Sequence, residues 1–146
     1  MALSTHIADT MPDTLTLPQL PVRFMNQDHE HARSLLERMI VLVTAPDAGD
    51  GELGRTCRAF HEHNREHFGR EEAAMQATGF PPFPVHRSEH VSALEWLAQL
   101  AAQAEADPAS SSLRQAISEE LPTWYLRHIQ TMDAVTANWI AAHSAD

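Results

Sequence analysis

Apolar residues along this chain recur at three- and four-residue steps in four stretches separated by proline, glycine or short polar runs. That period buries one face of a helix. The first stretch, from Phe24 or Met25 to Thr44, carries Met25, Ala32, Leu36, Met39 or Ile40 and Val43 on one stripe, with His29 inside it. Pro46 and the run from Asp47 to Gly51 break it. The second, about Gly51 to Ala77, has a seam of Leu53, Cys57, Phe60, Asn64, His67, Glu71 and Ala74, so its buried face turns polar midway. The third runs from Pro84 to about Ala106, with His86, His90, Leu94, Leu97 and Leu100 or Ala101 inward, and Asp107–Pro108 ends it. The fourth opens at "SSSLRQ", where Ser112 and Gln115 stand in a capping-box relation, and carries Leu113, Ile117, Leu121, Trp124, His128, Met132 and Val135. Pro122 falls inside this last pattern and predicts a kink or break. Four such helices with short connections predict an all-α, up-down-up-down antiparallel four-helix bundle over residues 24–146. Residues 1–23, with Pro12, Pro18 and Pro21 and no helical period, read as an extended N-terminal arm lying over it.

Composition sharpens this picture only where it excludes something. The chain has 146 residues, enough for one self-sufficient core. A net charge of −10 argues against nucleic acid and anionic membrane as partners, since both demand a basic patch. No apolar run approaches the roughly 18 residues of a membrane span. The N-terminus lacks both a basic start and an apolar core, so no signal peptide is read. Cys57 is the single cysteine and reads as a small buried hydrophobe, which with the missing leader fits a cytoplasmic protein.

The polar residues inside the stripes are where the chemistry lies. His67 and Glu71 are four apart, and so are His86 and His90. On a helix each pair stacks on one face, one turn apart. Gly79, Pro81, Pro82 and Pro84 lie between the pairs and turn one helix back beside the other. With His29 and His128 the inward set holds five imidazoles and, counting Asp133, two carboxylates. A polar patch in a core costs several kcal/mol, on the order of 2–7, unless it is paired or binds metal. Imidazole with carboxylate suits Fe, Mn or Zn, and a lone cysteine excludes iron–sulfur and Cys-type zinc sites. Seven donors exceed what one ion holds, so two metals follow. With Glu71, Asp133 and an oxo or hydroxo oxygen as bridges, the metal with three imidazoles is saturated and the metal with two keeps one open position for a diatomic such as O2 or NO. One spacing is awkward: Asp133 follows His128 by five residues, about 140° away on an ideal α-helix. A local π-type turn would bring it round.

The pattern of "QDH" (His29), "HFGREEAAM" (His67, Glu71), a Phe-Pro turn, "HRSEH" (His86, His90) and "WYLRHIQTMD" (His128, Asp133) resembles bacterial hemerythrin, of the HHE cation-binding family. The likeness spans about residues 25–140. It implies a non-haem di-iron centre with His86, His90 and His128 on the saturated iron and His29 and His67 on the iron that binds O2. Two positions depart from the family pattern. Asn26 stands where Asp is usual, and Tyr125 replaces the Leu that generally lines the O2 pocket. Trp124, Phe68 and Ile129 are the other expected pocket walls. The implied role is O2 carriage, storage or sensing. The rival is an enzyme reducing NO, O2 or peroxide, with Tyr125 modifying the site and an NADH-dependent reductase supplying electrons. His31, His61 and His63 read as surface or outer residues, with His63 also an alternative ligand, His6 and His143 as solvated, and Glu72 as a surface charge.

Overall fold

The computed structural model describes residues 15–44 and 51–144. Four helices pack into a bundle: α1 (Arg23–Thr44), α2 (Glu52–Thr78), α3 (Phe83–Ala106) and a long α4 over residues 111–143. Among the described residues there is no strand, and no helix is long and apolar enough to cross a membrane. The expected arm falls largely outside the described residues, as does the break from Pro46 to Asp50. Residues 15–22 are not helical. There Leu15 is buried in the core, with Leu17 and Leu20 packed against it.

The stops and starts have local causes. Gly79 takes φ +68°, and the N–H groups of Gly79 and Phe80 bond back to the carbonyls of Gln76 and Met75, closing α2 in a Schellman motif. Pro84 lies in the first turn of α3, where its missing N–H costs nothing. The cap of α4 is Ser110, whose hydroxyl accepts from the Leu113 N–H at 3.3 Å. The expected capping box at Ser112 and Gln115 does not form: the cap lies two residues earlier, and Leu113 at the third helical position has no polar side chain to return the bond.

Helix α4 does not break at Pro122. It widens just before it, through a π-helical turn at Ala116–Glu120 in which the Leu121 N–H reaches the Ala116 carbonyl. The proline then sits in the first turn of the Leu121–His128 segment, with room for its ring against the preceding turn. A second π turn, Ile129–Asp133, follows, with the Ala134 N–H bonded to the Ile129 carbonyl. This is the widening that the five-residue spacing from His128 to Asp133 requires. It also corrects the stripe. Beyond the turn the inward positions are Asp133, Thr136, Ala137 and Ile140, whereas Val135 is 59% exposed and Met132 only half-buried. Smaller shifts occur at Met75 and Ala93, which are buried where Ala74 and Leu94 are only partly so.

The apolar core fills one part of the bundle, with Leu36, Met39, Leu53, Phe60, Leu97, Leu113, Ile117 and Leu121 almost fully buried. Asn26 ties the chain entering α1 to this frame. Its Oδ1 accepts from the Leu20 N–H at 2.8 Å and its Nδ2 donates to the Leu20 carbonyl at 2.7 Å. Asn26→Ala removes both bonds and is expected to cost about 1–2 kcal/mol, read as a lower urea midpoint of the metal-free protein with an unchanged slope.

Candidate metal centre

All seven inward polar residues are buried and meet between the four helices. α1 contributes His29, α2 contributes His67 and Glu71, α3 contributes His86 and His90, and α4 contributes His128 and Asp133. Their donor atoms fall into two groups. His86, His90 and His128 gather with Glu71 and Asp133 in one; His29 and His67 gather with the same two carboxylates in the other.

Each carboxylate is divided between the groups by its two oxygens. Glu71 Oε1 lies 3.1 Å from His90 Nε2 and 3.8 Å from His86 Nε2, while its Oε2 lies 2.8 Å from His67 Nε2 and 3.9 Å from His29 Nε2. Asp133 Oδ1 lies 3.1 Å from both His86 and His128 Nε2, and Oδ2 lies 2.9 Å from His29 Nε2. Yet the Nε2 atoms of His67, His86, His90 and His128, both Glu71 oxygens and Asp133 Oδ1 make no hydrogen bond of acceptable geometry. They are close without aiming at one another. Buried polar atoms are nearly always satisfied, and seven orphans around one centre are what converging metal donors leave. The donor set, all imidazole and carboxylate, fits borderline divalent ions such as iron.

Three of the five outward ring nitrogens, those of His67, His86 and His90, are held from behind, which orients the ring with Nε2 toward the centre. His67 Nδ1–H donates to Asp28 Oδ2 at 2.8 Å and His90 Nδ1–H to Glu72 Oε2 at 2.9 Å; His86 Nδ1 lies 2.8 Å from Thr136 Oγ1. Glu72 is thus a partner of the site and not the surface charge its sequence position implies. Glu89 stands 3.6 Å from His128 Nδ1 and accepts from the Trp124 indole at 3.3 Å. None of these outer groups was legible beforehand. Asp28 and Glu72 sit beside expected donors in sequence, which was the available signal. His63 belongs to the same layer: it is buried and donates from Nε2 to the Asp28 carbonyl at 2.9 Å. His31 and His143 are exposed and His61 half-exposed.

The aromatic residues divide unevenly. Phe68 stacks on His90 at 3.9 Å and Trp124 on His128 at 5.1 Å, both in the three-imidazole group. Tyr125 stands edge-on to His29 at 6.3 Å, in the two-imidazole group. Its hydroxyl donates over a long 3.4 Å to the His29 carbonyl. Burial, with Asp133 and Glu71 nearby, raises its pKa well above the usual phenol range. Ile129 is fully buried as a member of the apolar cluster.

A match to the model of the hemerythrin HHE cation binding domain covers residues 20–140. The chain belongs to the hemerythrin family. It is also 32% identical over 106 residues, 73% of this chain and 76% of the other, to a bacteriohemerythrin of Ralstonia nicotianae. No solved structure matches the chain.

Without metal, the centre is a knot of opposite charges. Burial pushes the His67 imidazole down, but the Glu71 carboxylate and the bond to Asp28 outweigh it and hold the pKa at about 10. Burial and Asp133 push Glu71 up, and His67 and His90 more than offset them, leaving it below the ordinary carboxylate range. Asp133 is lowered likewise: its burial is overcome by His128, His29 and His86. The raised His67 stabilises the metal-free fold fully below pH 6.5, and this is lost as pH rises through about 10. The lowered Glu71 contributes above pH 4.5, and this is lost as pH falls through its lowered value. Denaturation of the metal-free protein should therefore show maximal stability between those limits. Metal uptake must also expel the His67 proton, so affinity should climb by about tenfold per pH unit in this range. Calorimetry in buffers of different ionisation enthalpy would read that proton release.

Proposed function

We propose that this chain is a di-iron O2-binding protein, used for carriage, storage or sensing of the gas. The observation that carries the reading is the division of each carboxylate between two groups with unequal numbers of imidazoles. His86, His90 and His128 would hold one iron and His29 and His67 the other. Glu71 and Asp133 would bridge them through separate oxygens, together with an oxo or hydroxo group. Three bridges and three imidazoles make six ligands; three bridges and two imidazoles make five. A ferrous pair would supply two electrons and one open position for a diatomic ligand. In this reading the four helices run up-down-up-down and antiparallel, and the protein is cytoplasmic.

What the chain itself contributes is a water-poor enclosure. Phe68 and Trp124 cover the three-imidazole half with stacked rings. Tyr125, edge-on to His29 and packed on Phe60, would wall the centre on the side of the apolar core, to which Ile129 also belongs. Excluding water keeps charge separation expensive around any bound gas. Tyr125 places one phenolic proton in that wall, and its long bond to the His29 carbonyl leaves the hydroxyl free to turn. This supports the rival reading, in which the centre reduces NO, O2 or peroxide with electrons from an external reductase.

The deciding experiment is anaerobic reduction of the iron-loaded protein, measurement of iron per chain, and admission of air under a visible spectrometer. Two irons per chain and an absorption band that vanishes on deoxygenation are expected. Two irons passing directly to an oxidised spectrum would favour the enzyme. Tyr125→Leu should lengthen the life of the oxygenated protein, by up to about 100-fold if the phenol acts as a positioned proton donor. Identical oxidation rates in the two proteins would make Tyr125 a packing residue only.

A further inference from the structure

The two halves of the centre are not braced alike, and the difference has a consequence for how the site is filled. In the three-imidazole half, His90 is fixed by Glu72 at 2.9 Å and His86 by Thr136 at 2.8 Å. His128 lacks a hydrogen bond at Nδ1, but the Trp124 ring stacks on it at 5.1 Å and 20°. In the two-imidazole half, His29 Nδ1 is buried without a partner. His67 has one hydrogen bond from behind, to Asp28, and the His63 ring lies parallel to it at a longer 6.4 Å.

Asp28 is in turn immobilised. The same Oδ2 that accepts from His67 accepts from Arg70 Nε at 2.8 Å, and the Asp28 carbonyl accepts from His63. The residue belongs to α1 and its three partners to α2. It is therefore a strap between the two helices that supply the smaller imidazole set, anchored on the side facing away from the centre.

We infer that the two halves take metal in order, the three-imidazole half first, and that Asp28 is the positioning residue that sets the second step. The inference rests on the two-metal reading above. A third imidazole and a second fixed ring give the first half the higher affinity. The second half has one fixed ring, and that ring depends on one carboxylate. Loss of an outer partner of a metal-bound histidine typically weakens binding by about 10–100-fold. Here such a loss should fall on one half only, since Asp28 touches His67 and Glu72 touches His90.

The test is an anaerobic titration of the metal-free protein with Co2+, followed by calorimetry and by the visible bands of bound cobalt. The natural protein should bind two ions in two resolved steps. Asp28→Asn should weaken the second step by about 10–100-fold and leave the first unchanged. Glu72→Gln should weaken the first. Both substitutions preserve side-chain shape, and circular dichroism of each variant verifies the helices. Binding of fewer than two ions by the natural protein would defeat the two-metal reading itself. Two ions taken up in a single step, or Asp28→Asn moving both steps or neither, would defeat the order inferred here and leave that reading intact.

Discussion

Everything in this structure answers to one electrostatic constraint: seven ionisable side chains share a buried space, with two carboxylates at its centre. Burial alone would protonate the carboxylates and discharge the imidazoles. Glu71, Asp133, His67 and His128 are instead held in their charged forms by their neighbours. Such a cluster is stable only while the partners stay in place, because removing one leaves an uncompensated buried charge. The four helices are thus fixed to each other at the level of the centre by polar contacts, and elsewhere by ordinary apolar packing around Phe60, Leu36 and Ile117. The bundle is a polar knot set into an oily frame.

That division explains what could be read from the sequence. His67 with Glu71, and His86 with His90, declare themselves because a four-residue step on an apolar stripe puts both members of a pair on one face. His128 and Asp133 were legible through an anomaly. A five-residue gap is useless on a regular helix, so its presence foretold the π turn at Ile129–Asp133. The same turn defeated the stripe beyond it. A pattern projected at 3.6 residues per turn runs through Met132 and Val135, while the widened helix has already moved the inward face to Asp133, Thr136 and Ile140. The first π turn, at Ala116–Glu120, had no such marker except Pro122 behind it, and proline signals disruption without saying what form it takes.

The outer layer was opaque for a different reason. Asp28, Glu72, Glu89 and Thr136 each act on a ring carried by another helix, across distances set by how the helices pack. Glu72 is the instructive case. Its angle on α2, about 100° from Glu71, points it away from the centre, and sequence logic reads that as solvent. The direction was correct. What the sequence could not supply is that α3 presents the back of His90 in that direction, so a residue facing away from the centre still meets one of its rings.

Asn26 and Tyr125, the two departures from the family pattern, show how differently one substitution can weigh. Asn26 uses both ends of its amide on the Leu20 backbone, a task an ionised carboxylate could do only in half, because it can accept from the N–H but cannot donate to the carbonyl. Asparagine here is explained by the chain entering α1 and has no contact with the metal donors among its hydrogen bonds. Tyr125 is the opposite case. Its ring is anchored by packing against Phe60 and Trp124, while its hydroxyl has only a 3.4 Å bond to a carbonyl already engaged in a helix. A buried hydroxyl so weakly held is a cost that packing alone does not offset, since a leucine or phenylalanine would fill the space without it. The oxygen of Tyr125 is therefore the least satisfied atom of a ring that stands edge-on to His29, in the half of the centre with two imidazoles.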